Sequence, residues 1–132
     1  MKQLLKKIVI TILCSVFVAT SAQADELEDV VNYVRTGNVT GMGKYFDKVV
    51  AITINNNQAS YSDAQAEIIL KDFFNKNAVK DFKVIQSSAN AGPKTKYAIG
   101  NLITSNGNYQ LYVVMKVLDN KFILREIRFE KK

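Results

Sequence analysis

The 132-residue chain has no histidine, no tryptophan, one cysteine and one proline. Without imidazole there is no histidine general base and no histidine metal ligand, which excludes Ser-His-Asp triads and the common zinc enzymes. A lone cysteine makes neither an intramolecular disulfide nor a thiolate zinc site. The six glycines, Gly37, Gly41, Gly43, Gly92, Gly100 and Gly107, form no phosphate-cradling run. Nothing in the composition asks for a cofactor or a metal, and the length allows one domain.

The long apolar run lies at the N-terminus. Lys2, Lys6 and Lys7 precede an apolar stretch from Ile8 to Ala19, and Ala22-Gln23-Ala24 supplies a small-x-small pattern before Asp25. Residues 1–24 therefore read as a cleaved secretory signal peptide, and 25–132 as the single mature domain. The run is short for a membrane span of ~20 apolar residues. A retained anchor is the other reading of the segment. Lipid attachment at Cys14 would want a small residue before it, where Leu13 stands. The expected address is outside the cytoplasm, periplasmic or extracellular, with membrane contact only through the signal before cleavage. Residues 25–132 then carry 15 Lys+Arg against 12 Asp+Glu and no cysteine. A chain of this size buries roughly two-thirds of its unfolded surface, enough for a core without staples.

Leu27, Val30, Val31 and Val34 recur at helical spacing behind an acidic first turn, which predicts a helix over 25–36 with Gly37 as its C-cap. A short helix over 40–46 follows, weakened by Gly41 and Gly43. Residues 48–54 are β-branched and read as a strand, 55–57 as a turn and 59–61 as a brief return strand. Ser62 and Gln65 form a capping box, and Ala66, Ile69, Leu70, Phe73 and Phe74 then keep a 3.6-residue period to 75–77. The remainder is β: 80–88, a turn at 90–93, then 95–105, 108–118 and 121–130, joined by turns at Asn106-Gly107 and Asp119-Asn120.

Treating both turns as two-residue turns sets Leu102 opposite Leu111, Gly100 opposite Val113, Ala98 opposite Met115, Met115 opposite Leu124 and Val117 opposite Phe122 on one apolar face. Regular continuation would turn Glu126 and Arg128 onto that face. A bulge near Arg125-Glu126 is predicted instead, placing Ile127 and Phe129 there.

This order resembles the nuclear transport factor 2-like, cystatin-like superfamily. Gly37-Asn38-Val39, Tyr45-Phe46-Asp47, Ser62 to Ala66, Asp72-Phe73-Phe74, Tyr97 to Gly100, Asn106 to Tyr109 and Ile127-Arg128-Phe129 carry a narrower resemblance, to the secreted bacterial group called domain of unknown function 4783. The resemblance implies an α+β cone, a bent antiparallel sheet wrapped around a long helix with short N-terminal helices. It carries over no functional residues, and the fold alone does not choose a function.

Several readings of function follow from the residues. The preferred one is an exported, non-catalytic binding or protein-interaction domain of the cell envelope. Its candidate interaction face is Ile99, Ile103, Tyr112, Val114 and Arg125, beside Tyr97, and it would serve a homodimer or an envelope protein partner. A second is a cavity for a small apolar ligand between helix and sheet, lined by Phe73, Phe74, Tyr97 and Met115; the same residues also suit a closed core. A third is an isomerase- or cyclase-like enzyme, which needs a buried carboxylate and a hydrogen-bond donor. Its candidate acids are Asp47, Asp72 and Glu126, and its candidate donors Tyr45, Tyr97 and Tyr112. Nucleic acid is not an expected partner: residues 93–132 hold eight Lys+Arg against three Asp+Glu, but scattered, as on solvated strands. The segment Gln86 to Asn90 also lacks the Q-x-V-x-G pattern of cystatin-type protease inhibitors.

Overall fold

The computed structural model describes residues 25–88 and 94–132; the expected signal peptide at 1–24 and the expected turn at 90–93 lie outside the described residues. The elements are α1 (Glu26–Thr36), α2 (Val39–Gly43), β1 (Phe46–Ile54), β2 (Asn57–Ser62), α3 (Asp63–Lys76), β3 (Val79–Ser88), β4 (Thr95–Thr104), β5 (Gly107–Leu118) and β6 (Lys121–Lys131). One six-stranded sheet has the order β2-β1-β6-β5-β4-β3. All neighbours are antiparallel except β1 and β6, which pair in parallel.

Local chemistry explains the helix ends. Asp25 caps α1 by accepting from Leu27 N–H, and Gly37 ends it at φ +66°, a left-handed conformation that favours glycine. α3 begins with both halves of its capping box in place: the Ser62 hydroxyl accepts from Gln65 N–H, and the Gln65 side chain accepts from Ser62 N–H. Such a cap is worth ~1 kcal/mol. α2 ends at Gly43, sooner than its sequence suggests, and Phe46 already belongs to β1.

Both long helices pack on one face of the sheet. α1 contributes Leu27, Val30, Val31 and Val34; α3 contributes Ala66, Leu70, Phe73 and Phe74. They meet Phe82, Ala98, Leu102, Leu111, Val113, Met115, Leu124, Ile127 and Phe129 in one core. β4 alternates without exception between buried and half-buried positions from Ala98 to Thr104. At Gly100 a side chain has no room, because a Cβ would stand 2.5 Å from the Lys83 carbonyl oxygen.

The β5–β6 ladder follows expectation. Met115 faces Leu124 and Val117 faces Phe122; the register then shifts between Val114 and Met115, setting Ile127 opposite Val113 and Phe129 opposite Leu111. Ile127 and Phe129 are fully buried, so the predicted bulge is present. The β4–β5 register differs from expectation by two residues. Thr104 pairs with Gly107, so Leu102 faces Tyr109, Gly100 faces Leu111, Ala98 faces Val113 and Lys96 faces Met115. Gly107 takes φ +117° after the Ser105-Asn106 turn. Thr104 Oγ1 locks that loop, donating to Gly107 O (2.6 Å) and accepting from Asn106 N–H (3.2 Å). A slip of two preserves side-chain parity, so the buried and outer faces remain as expected.

Candidate interaction face

Alternation that sends one set of β4 and β5 side chains inward sends the other outward. On the outer face Ile99 pairs with Tyr112 and Tyr97 with Val114; β6 continues these rows with Arg128 beside Tyr112 and Glu126 beside Val114. Ile103 lies further along the same side, opposite Asn108. Tyr97, Ile99, Ile103, Tyr112 and Val114 are all half-buried, shielded by one another. The described helices pack against the opposite face.

Arg128 organises the centre. Its guanidinium sits 5.6 Å from the Tyr112 ring and pairs with Glu126 (3.1 Å) and Glu130 (3.9 Å). In β1 its neighbour is Thr53, 6% exposed although it points to the outer side. Thr53 Oγ1 and Arg128 Nε are both buried without a hydrogen-bond partner. At the rim, Tyr97 Oη accepts from Gln86 Nε2 (2.9 Å), and Lys132 Nζ donates to Asn101 Oδ1. Arg125 occupies the bulge and reaches Asp47 at 3.2 Å. It therefore tethers β6 to β1 at the border of the face.

The proposed pocket residues do not form one site. Phe73 and Phe74 join Tyr109 and Phe129 in an aromatic cluster, with Phe73 4.1 Å from Phe129 and 5.2 Å from Tyr109 between ring centres. Asn77 serves its polar edge: Tyr109 Oη donates to Asn77 Oδ1 (3.2 Å), and Asn77 Nδ2 donates to Phe73 O (2.9 Å). Met115 is fully buried six positions beyond Tyr109 on β5, roughly 20 Å along the strand. Tyr97 is on the other side of the sheet. The space between α3 and the sheet is filled by these rings, and a hollow of about 390 Å³ beside Tyr61, Ile69 and Tyr109 opens outward to solvent.

The candidate catalytic groups are also dispersed. Asp47 is held by Arg125, Asp72 pairs with Lys76 on the exposed side of α3 (3.1 Å), and Glu126 lies outside with Arg128. Tyr97 and Tyr112 are on the outer face. Tyr45 donates instead to Asp29 (2.7 Å), and this bond, with burial behind it, pushes its hydroxyl up to about 12. Asp29 reads in sequence as one acid of a helix start, and no local signal marks it as a partner for Tyr45. Lys96 is a second residue missed. It faces inward, 4.2 Å above the Phe122 ring, and pairs with Asp25 (3.4 Å) and Glu26 (3.6 Å). Its alternation with Ala98 and Leu102 was the available signal. Among the described residues, no three His, Cys, Asp or Glu side chains gather as for a metal, and no helix is long and apolar enough to cross a membrane.

A curved six-stranded sheet enclosing helices on one side defines the nuclear transport factor 2-like, cystatin-like class of α+β domains. Within it, the chain belongs to the family named domain of unknown function 4783, whose profile matches residues 27–130. A family member from Bacteroides uniformis, known from a crystal structure, is 26% identical with a TM-score of 0.78, covering 82% of this chain and 98% of that one. A cystatin-like domain of unknown function from Nostoc punctiforme is 10% identical with a TM-score of 0.59, covering 80% and 72%. A protein whose name includes NTF2, for nuclear transport factor 2, is also 10% identical, with a TM-score of 0.58, covering 78% and 91%. These last two show the fold alone. Among curated proteins, none matches the chain.

Proposed function

We propose that this chain is an exported, non-catalytic interaction domain of the cell envelope that docks a protein partner on the outer face of its sheet. One observation carries the reading: the half-buried row Tyr97, Ile99, Ile103, Tyr112 and Val114, across which no described helix lies. A solvated antiparallel face is expected to carry polar side chains at such positions. Here the apolar groups gather around Arg128 and its partner Glu126, Asn101 and Gln110 part Ile99 from Ile103, and Lys116 and Arg125 stand at the margin. Tyrosines and an arginine set among aliphatic side chains are the anchors that protein interfaces favour. The unpartnered Thr53 Oγ1 and Arg128 Nε add to this, since an unsatisfied buried polar group costs ~1–3 kcal/mol. A partner that draws Arg128 aside gives both groups a hydrogen bond. Export rests on the basic start, the apolar run and Ala22-Gln23-Ala24.

The test is site-specific photocrosslinking in the native host, with the probe at Tyr112 and, as a control, at Lys71 on the exposed side of α3. A discrete adduct at Tyr112 alone, lost when Val114→Lys is added, is the expected result, and the purified protein should begin at Asp25. Equal adducts at both positions, or none at Tyr112, overturn the reading. Loss of the native circular-dichroism spectrum in Tyr112→Glu/Val114→Lys would show that the face is core.

A further inference from the structure

The two edges of the sheet are built differently. At the β3 edge, Arg35 Nε donates to the Phe82 carbonyl (3.2 Å), the ladder is broken at Val79/Asp81 and Val84/Gln86, and Lys80, Asp81 and Lys83 bring charge. Blocked carbonyls, bulges and charges are how sheet edges are kept from pairing. β2 has none of these. Its sequence, Asn-Gln-Ala-Ser-Tyr-Ser, is the only one among the described strands without a charged residue, and it pairs with β1 without a register break.

The hairpin fixes which backbone groups face outward. Asn55 and Asn56 form a two-residue turn with φ +50° and +71°, so Ile54 and Asn57 are a hydrogen-bonded pair. Asn57, Ala59 and Tyr61 then bond to β1, whereas Gln58 and Ser60 aim N–H and C=O away from the sheet. The next outward N–H, on Ser62, is taken by Gln65 Oε1 (3.4 Å). Beside this edge α3 overhangs the sheet. Ile68 is 66% exposed and, with Ile69, Tyr61 and Ser60, lines an open hollow of about 330 Å³. An inward side chain of a seventh strand would fall there.

We propose that two copies of this chain join edge to edge through β2, antiparallel about a two-fold axis, continuing the sheet from one copy into the other. Gln58 and Ser60 of each copy bond Ser60 and Gln58 of its mate, and both Ile68 side chains flank the axis on the same side of the joined sheet. The commitment to a second copy rests on charge. A two-fold contact sets a strand against itself, and an uncharged strand does so without opposing like charges wherever the axis falls. The proposal is independent of the outer-face reading, because the edge and the face are separate surfaces.

The test is sedimentation equilibrium of the exported protein purified from its host. Ser60→Pro removes an outward N–H while leaving the β1 ladder, and Ile68→Lys changes an exposed side chain. The wild type should dimerise, and each variant should weaken the dimer, Ser60→Pro roughly 30-fold, with unchanged circular dichroism. Tyr112→Glu/Val114→Lys should dimerise like the wild type. A wild type monomeric at every concentration overturns the proposal, as does a monomer that carries a foreign peptide. A dimer indifferent to Ile68→Lys, or abolished only by the outer-face variant, overturns it as well. Should Ser60→Pro fail to fold, Ile68→Lys alone decides.

Discussion

Tyr45, in the turn between α2 and β1, ties α1 to β6 through two oxygens. Its hydroxyl donates to Asp29 on α1 at 2.7 Å, and its carbonyl accepts from Leu124 N–H on β6 at 2.6 Å. The hydroxyl bond has a consequence in alkali. Its pKa rises from 10.0 to about 12 because the bond to a carboxylate, and then burial, oppose loss of the proton. In the unfolded chain the phenol ionises near its ordinary value, so between pH 10 and 12 the unfolded state gains and the folded state does not. The stabilisation is complete below pH 10 and is lost as pH climbs through 12. Tyr45→Phe should lower the melting temperature at neutral pH and flatten its decline across that alkaline window. Equal alkaline slopes in both proteins would sink the assignment.

At the scale of strands and helices, the two-residue slip between β4 and β5 makes a prediction of its own. It puts Lys96, an inward cation, opposite Met115, and puts Gly100 opposite Leu111. A carboxylate introduced at Met115 therefore has a cation within cross-strand reach, whereas one at Leu111 has none on that strand. Leu111→Asp should be the more damaging of two severe substitutions, since an unpaired buried carboxylate is the costliest case. Urea titrations of both variants decide the order, and the reverse order would favour the unslipped pairing. The slip also shows what was legible. The parity of every β4 and β5 residue could be read, because period-two alternation survives any even shift. The partner could not: Asn106-Gly107 fits a two-residue turn, but here Gly107 alone of that pair takes positive φ and Thr104 locks the loop. α1 and α3 were legible through their caps and apolar spacing. The pocket quartet was misgrouped, because helical spacing says that Phe73 and Phe74 face inward without saying which end of a 12-residue strand they meet.

For the whole molecule, the parallel seam between β1 and β6 decides what holds together. Without it the sheet would divide into a β1–β2 hairpin and a β3–β4–β5–β6 meander. Across the seam, Ile52 meets Ile127, 75 residues later in the chain, while the β4–β5 and β5–β6 contacts are local. Loop closure over such a distance is slow and comes after local pairing. Ile52→Val, expected to cost ~1 kcal/mol, should then speed unfolding and hardly change the folding rate. Val113→Ala, within the meander, should slow folding. Stopped-flow denaturant kinetics would show the difference, and an equal slowing of folding in both variants would refute this order of events. The timing extends to synthesis. The β1–β2 hairpin emerges before the 11 residues of β6, so whatever passage the chain threads, the sheet stays open until those residues have come through.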